Sequence, residues 1–231
     1  MFIWVMLILC TKFPEIAEEA DESPGHAQGR FVDLFEHRHF VLGVIAQFLY
    51  VGAQVGTWSY YIQYIQDYTR QPEKTAGYLL TGTLVAFGVG GFTATYLMKF
   101  FAPNKLMGIY GLINVILLGI AVLHPGWIGV WAVFLTSFFM SLMFPTIFAL
   151  GITELGPNTK LGSSLMVMAI IGVAAFPPLE GLLFQAPRSM ATAMAILLGC
   201  YAFVAHYAFS GSRLRITHPP RYAWRFAVTG L

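Results

Sequence analysis

The chain has 231 residues, 57% hydrophobic and only 10% charged, with a mean hydropathy of +0.68 and a formal net charge of +2. Charged residues make up about 25% of a soluble globular domain, so this balance excludes an ordinary soluble protein and predicts an integral membrane protein. So small a net charge, with no basic stripe, also excludes nucleic acid as a partner.

Met1–Cys10 (MFIWVMLILC) is apolar but about half the length that crosses a bilayer. It has neither the basic start nor the small-residue cleavage site of a signal peptide, and Leu9 is too large for a lipoprotein signal. Residues 1–11 are expected to be the end of a truncated transmembrane helix, with Lys12, Phe13 and Pro14 at its exit. Residues 12–38 change character. Glu15, Glu18, Glu19, Asp21 and Glu22 precede Ser23-Pro24-Gly25, and both signs mix from Arg30 to Arg38. That composition predicts an aqueous, partly helical linker whose acidic run is a solvated loop.

From His39 to Gln66 there is no Asp, Glu, Lys or Arg. The window exceeds the ~20 residues a spanning helix needs, and a first full span is expected at about 39–62. At 100° per residue, Gln47, Tyr50, Gln54, Trp58 and Tyr61 share an arc of roughly 80°, with Gly52 and Gly56 on the opposite side. Two amides on one stripe are costly in hydrocarbon unless the stripe faces protein or water. A lumen accounts for the stripe; the glycine side suits close approach of a neighbouring backbone.

The next spans follow at about 76–99, 106–123, 127–151, 162–184 and 190–210. The 76–99 helix is glycine-rich, and Gly88-Val89-Gly90-Gly91 lacks the strand and the Lys-Ser/Thr of a phosphate loop. His124-Pro125-Gly126 turns the third span into the fourth, and Asn114 is the conspicuous polar residue of the third. Trp127 and Trp131 open the fourth span as interfacial anchors do. Pro145 cannot donate to the carbonyl of Ser141, so a kink is expected there, next to Thr146. Ser163 or Ser164 is the expected cap of the fifth span. Glu180, after Pro177-Pro178, is open to two readings: an interfacial carboxylate or a proton-linked group. Residues 211–231 form an aqueous tail with four arginines. No metal-ligand spacing, paired carboxylates or nucleophile–base pair appears in the spans, Cys10 and Cys200 included, so neither enzyme activity nor a cofactor is expected.

Six crossings put the linker, the 99–105 and 154–160 turns and the tail on one side. That side carries Lys12, Arg30, Arg38, Lys99, Lys105, Lys160, Arg213, Arg215, Arg221 and Arg225; Arg70, Lys74 and Arg188 lie on the other. The positive-inside rule makes the basic side cytoplasmic, C-terminus included.

FLYVGAQVGTWSYYIQY (48–64), FPTIFALGITELGPNTKLGSSLMVMAIIG (144–172) and TKFPEI (11–16) resemble the fucose permease family, the fucose–galactose–glucose:proton symporters of the major facilitator superfamily. The resemblance runs from Met1 to about Ser210 and matches only the C-terminal half of such a carrier. It implies an all-α membrane protein: a six-transmembrane-helix C-terminal bundle preceded by a partial helix. Two such bundles rock about a central sugar site in this architecture. The first and fourth helices of each half line the cavity, the second and fifth pack between the halves, and the third and sixth lie outside. Mapped here, the lining helices are 39–62 and 127–151. The implied substrate-binding residues are Gln47, Tyr50, Gln54, Trp58, Tyr61, Asn114, Ser141 and Thr146, because amides suit hydroxyls and rings stack on a pyranose. The implied partners are a neutral sugar (fucose or hexose), a proton, the inner (plasma) membrane bilayer and an N-terminal six-helix half that holds the proton-carrying carboxylates. The chain is expected to be incomplete as a transporter alone. The alternative is a non-transporting six-helix membrane protein that associates with another carrier half.

Overall fold

The computed structural model describes residues 31–185 and 190–211, and these are almost entirely helical, with no strand among them. The expected partial helix at 1–11, the acidic run, the turn around Arg188 and the tail lie outside the described residues. Nine α-helices are described: α1 (Phe31–Glu36), α2 (Arg38–Thr69), α3 (Glu73–Leu97), α4 (Pro103–Leu123), α5 (Trp127–Met140), α6 (Met143–Ile152), α7 (Thr159–Met168), α8 (Gly172–Gln185) and α9 (Met190–His206). They make six rods long and apolar enough to cross a membrane: α2, α3, α4, α5 with α6, α7 with α8, and α9 with its last turn.

The helix ends follow from local chemistry. Arg70 closes α2 in the left-handed region (φ 54°), its N–H donating to Gln66 O at 3.0 Å. The helix is longer than the expected 39–62 because residues 63–69 continue it with Tyr64 and Ile65 buried against the bundle and Gln63 and Asp67 exposed. Pro103 sits at the first position of α4, where its missing N–H costs nothing. Gly126, at φ +132°, turns α4 into α5. Between α5 and α6 the helix is interrupted at Ser141–Leu142, just ahead of Pro145.

Serines 163 and 164 do not cap. The 3₁₀ turn Gly156–Asn158 runs straight into α7, which therefore starts at Thr159. Both serine hydroxyls instead donate back to the carbonyls of Thr159 (2.8 Å) and Lys160 (3.1 Å).

α2 is the hub, packing against α3, α5, α6, α8 and α9. Two close backbone approaches set its neighbourhood. At Gly172 the start of α8 touches the carbonyl of Phe48, and Phe176 lies over Gly52, so the glycine side of α2 does admit another helix. At Gly90, α3 rests on the carbonyl of Phe138 in α5. Ala76, Thr83, Gly90 and Ala94 form the buried seam of α3. At the basic end, α1 tucks Leu34 against Phe40, Leu155 and Gly162, and His39 Nε2 donates to Thr153 O at 3.0 Å.

Candidate functional site

Four tyrosines on α2 hold the helix to its surroundings. Each hydroxyl donates to a main-chain carbonyl of another helix: Tyr50 to Met140 (2.8 Å), Tyr60 to Pro177 (2.8 Å), Tyr61 to Val130 (3.0 Å) and Tyr64 to Ala121 (2.7 Å). Ala121 lies in the last turn of α4 and Met140 ends α5, positions whose carbonyls lack intrahelical donors. A long phenol supplies the missing donor from across the bundle.

The stripe on α2 is thereby split. Gln47, Tyr50 and Tyr61 are 0% exposed, enclosed by the other helices of this chain, and so have no surface from which to meet a solute in this arrangement. Gln54 and Trp58 are half-buried. The Trp58 Nε1–H donates to Ser137 Oγ at 3.1 Å, and its ring meets Phe87 of α3 edge-on, with centroids 5.3 Å apart. The pairs Tyr61–Val130, Trp58–Ser137 and Tyr50–Met140 fix an antiparallel register between α2 and α5. One turn from Trp58, Gln54 then comes level with the Ser137–Ser141 turn of α5.

A cleft of about 370 Å³ opens between α3 and the α5–α6 break, lined by Gly88, Gly91, Phe92, Ser141, Leu142 and Pro145 among others. Ser137, Ser141 and Pro145 lie one turn apart on one face, so indole and cleft share a seam. Pro145 leaves the Ser141 carbonyl without its helical donor, while Ser141 Oγ donates to Phe138 O at 2.8 Å. Thr146 is 2% exposed, and its hydroxyl donates to Leu142 O at 2.8 Å. It steadies the break and presents nothing to the cleft. Asn114 is 0% exposed in the bundle core. The Glu180 side chain lies outside the described residues. Among the described residues no group of His, Cys, Asp or Glu is placed to hold a metal ion.

The structure thus sets Trp58 against Ser137, one turn from Ser141 in the cleft lining, leaves Gln54 half-buried one turn from Trp58, and encloses Gln47, Tyr50, Tyr61, Asn114 and Thr146 in the bundle. Sequence reasoning passed over Phe87, Gly88 and Gly91, which complete the seam from α3. Gly88 and Gly91, one turn apart on a helix already rich in glycine, were the available signal. The cleft lining is largely apolar, with the hydroxyls of Thr95 and Ser141 and no charged side chain, and Trp58 stands one turn away through Ser137. Such a surface suits a neutral, hydroxyl-bearing solute better than an ion.

No family model matches the chain. It is 41% identical to the L-fucose-proton symporter of Escherichia coli (strain K12) over 208 residues, 88% of this chain and 47% of that protein. It is 31% identical to a glucose/galactose transporter of Brucella abortus over 214 residues, 91% and 51% respectively. Among solved structures, the E. coli fucose:proton symporter FucP superposes with a TM-score of 0.83 at 39% identity, covering 92% of this chain and 53% of that one. FucP in the outward conformation superposes with a TM-score of 0.81. The chain spans about half the length of the relatives it matches. By sequence and by fold it belongs to the fucose permease-like carriers of the major facilitator superfamily, multi-pass membrane proteins, and corresponds to the C-terminal half of one.

Proposed function

We propose that the chain is the C-terminal half of a sugar:proton symporter working by alternating access, and that its seam between α2, α3 and the α5–α6 break contacts a neutral hexose or deoxyhexose. The observation that carries this is the half-buried Trp58, bonded to Ser137 one turn from the Ser141 that lines an uncharged cleft at a broken helix, with the half-buried Gln54 one turn along α2. The amide exchanges hydrogen bonds with sugar hydroxyls, and the indole face covers the apolar side of a pyranose. Ser141 adds an acceptor at the break. Tyr50, Tyr61 and Thr146 act from behind, by holding α2 and α6 in place. The relatives' names, an L-fucose-proton symporter and a glucose/galactose transporter, support the substrate class.

The partner is an N-terminal six-helix half carrying the proton chemistry. Two rods favour it. Only 17% of the apolar window of α3 and 28% of that of the α7–α8 rod are buried, against 44–56% for the other four. These are the second and fifth rods, the pair that packs between halves in this architecture. The excess of Lys and Arg in the 99–105 and 154–160 turns, the linker and the tail supports an inner-membrane location with a cytoplasmic C-terminus.

To test the reading, the chain is reconstituted in vesicles with the N-terminal half of a fucose-symporter relative. Uptake of labelled L-fucose, galactose and glucose is then measured under an imposed pH gradient. Uptake should require both halves, and Gln54→Ala and Trp58→Ala should weaken it. Unchanged uptake and sugar binding in both variants would sink the site assignment. A stable complex without uptake of any of these sugars would favour the non-transporting six-helix protein.

A further inference from the structure

Behind the seam, the bundle core holds polar side chains that the protein itself does not satisfy. Both amide atoms of Gln47, both of Asn114 and the hydroxyl of Tyr207 are buried without a hydrogen-bond partner within the protein. All three residues are 0% exposed. They come from three different rods: α2, α4 and the turn that follows α9.

Their positions converge. A Cβ built at Gly43 would lie 2.9 Å from Tyr207 Oη and 3.2 Å from the Cα of Gly151. Gly43 therefore makes the room in which the phenol ends. Gln47 is one turn further along the same face of α2, and helical side chains slope towards the N-terminus, so its amide extends over that same room. On the other side, a Cβ built at Gly111 of α4 would lie 3.0–3.3 Å from Ala205, and one built at Gly108 would meet the ring of Phe209. This antiparallel register puts Asn114, one turn beyond Gly111, at the height of Tyr201. The Tyr201 ring in turn meets the Tyr50 ring at 6.5 Å, one turn above Gln47. Tyr207, Gln47 and Asn114 thus rise in steps through the core.

We propose that this core is a permanent internal hydration site, in which ordered water is bound by the Gln47 and Asn114 amides and the Tyr207 hydroxyl. An amide brings two N–H donors and a carbonyl acceptor, and one direct contact between two amides leaves most of these groups unmet. A water making two to four bonds meets them, and buried polar groups left over by the fold are commonly satisfied in this way. The ligand is neutral, since no Asp, Glu, Lys or Arg is among the described buried residues to balance a cation. It is small, because a sugar has no route to side chains that are fully enclosed. The bound water joins α2, α4 and the end of α9 directly behind the Ser141–Leu142 break, so these rods move together as one body. This goes beyond the sugar reading and does not depend on it.

The test uses the full chain purified in detergent. Synchrotron X-ray radiolysis generates hydroxyl radicals from bound water in place, and mass spectrometry reads the oxidised side chains. In the unaltered chain, Tyr207 and Met140 should be oxidised despite their burial, with slow uptake of label after mixing into ¹⁸O water. No oxidation above background at either residue overturns the proposal. So does label exchange as fast as at exposed Phe92, which would mean bulk access. A second measurement takes melting temperatures of Gln47→Leu, Asn114→Leu and the double variant. Each single change strands the water against an apolar group and should lower the midpoint by about 2–4 °C. The double variant leaves the water only the Tyr207 hydroxyl, so its loss should be smaller than the sum of the two single losses, whereas strict additivity overturns the bridge. Should the variants fail to fold, radiolysis of the unaltered chain still decides.

Discussion

The hydroxyl of Tyr50 donates to the main-chain oxygen of Met140 across 2.8 Å, joining residues 90 positions apart at the place where the fourth rod breaks. Met140 is the last residue of α5, and Ser141–Leu142 separates it from α6. Pro145 removes one donor from this stretch, and the tyrosine of a different helix adds one back. Tyr50→Phe should keep the ring and lose the bond, lowering stability by about 0.5–1.5 kcal/mol. Thermal unfolding in detergent checks this. An unchanged midpoint would mean that the break is held by Thr146 and packing alone.

Glycines on α3 should divide sharply by what they face. Gly90 lies against the carbonyl of Phe138, so Gly90→Ala has to push α3 away from α5, at a cost of about 1–3 kcal/mol. Gly88 has nothing within 4 Å of its missing Cβ, so Gly88→Ala should leave folding intact or improve it slightly. The added methyl should nonetheless narrow the cleft. Melting curves paired with sugar-binding titrations of the reconstituted carrier distinguish a packing glycine from a site glycine.

Trp58 offers a ring and a donor, and the two are separable. Trp58→Phe keeps a ring near Phe87 but strands Ser137 Oγ, whereas Trp58→Ala removes both. Loss of the stacking surface, worth about 1–1.5 kcal/mol, should weaken sugar binding about tenfold in Trp58→Ala. Trp58→Phe should retain much of that affinity. Equilibrium binding of labelled sugar is the measurement, and equal losses in the two variants would assign the effect to the indole N–H.

Sidedness can be read directly. With Cys10 and Cys200 replaced by serine, single cysteines at Lys74, Lys105 or Lys160 are all exposed to reagent. In right-side-out vesicles an impermeant maleimide should label Lys74→Cys alone. In inverted vesicles it should label Lys105→Cys and Lys160→Cys. The reverse pattern would overturn the orientation argued from the basic residues.

Much of this was legible from residue order, because crossing a bilayer imposes a one-dimensional rule. About twenty apolar residues are needed per span, and the turns must be polar. Thus 106–153 could be divided at His124-Pro125-Gly126 without knowing any contact. The glycine side of α2 was legible for a similar reason, since small residues within hydrocarbon mark a place where helices meet. A helical wheel gives angles, however, and not neighbours. It put Gln47, Tyr50, Gln54, Trp58 and Tyr61 on one stripe, but whether each met protein or open space depended on which rods stood opposite. Tertiary packing laid α5, α6 and α9 over the two ends of that stripe and left Gln54 and Trp58 at the seam. The broken carbonyls at Met140 and in the last turn of α4 were also beyond reach, since their donors come from tens of residues away. Sequence by itself determined how many rods there are and which family they belong to. Only the tertiary structure decided which polar side chains bind the fold together and which remain free to meet a solute, because burial is set by contacts between segments distant along the chain.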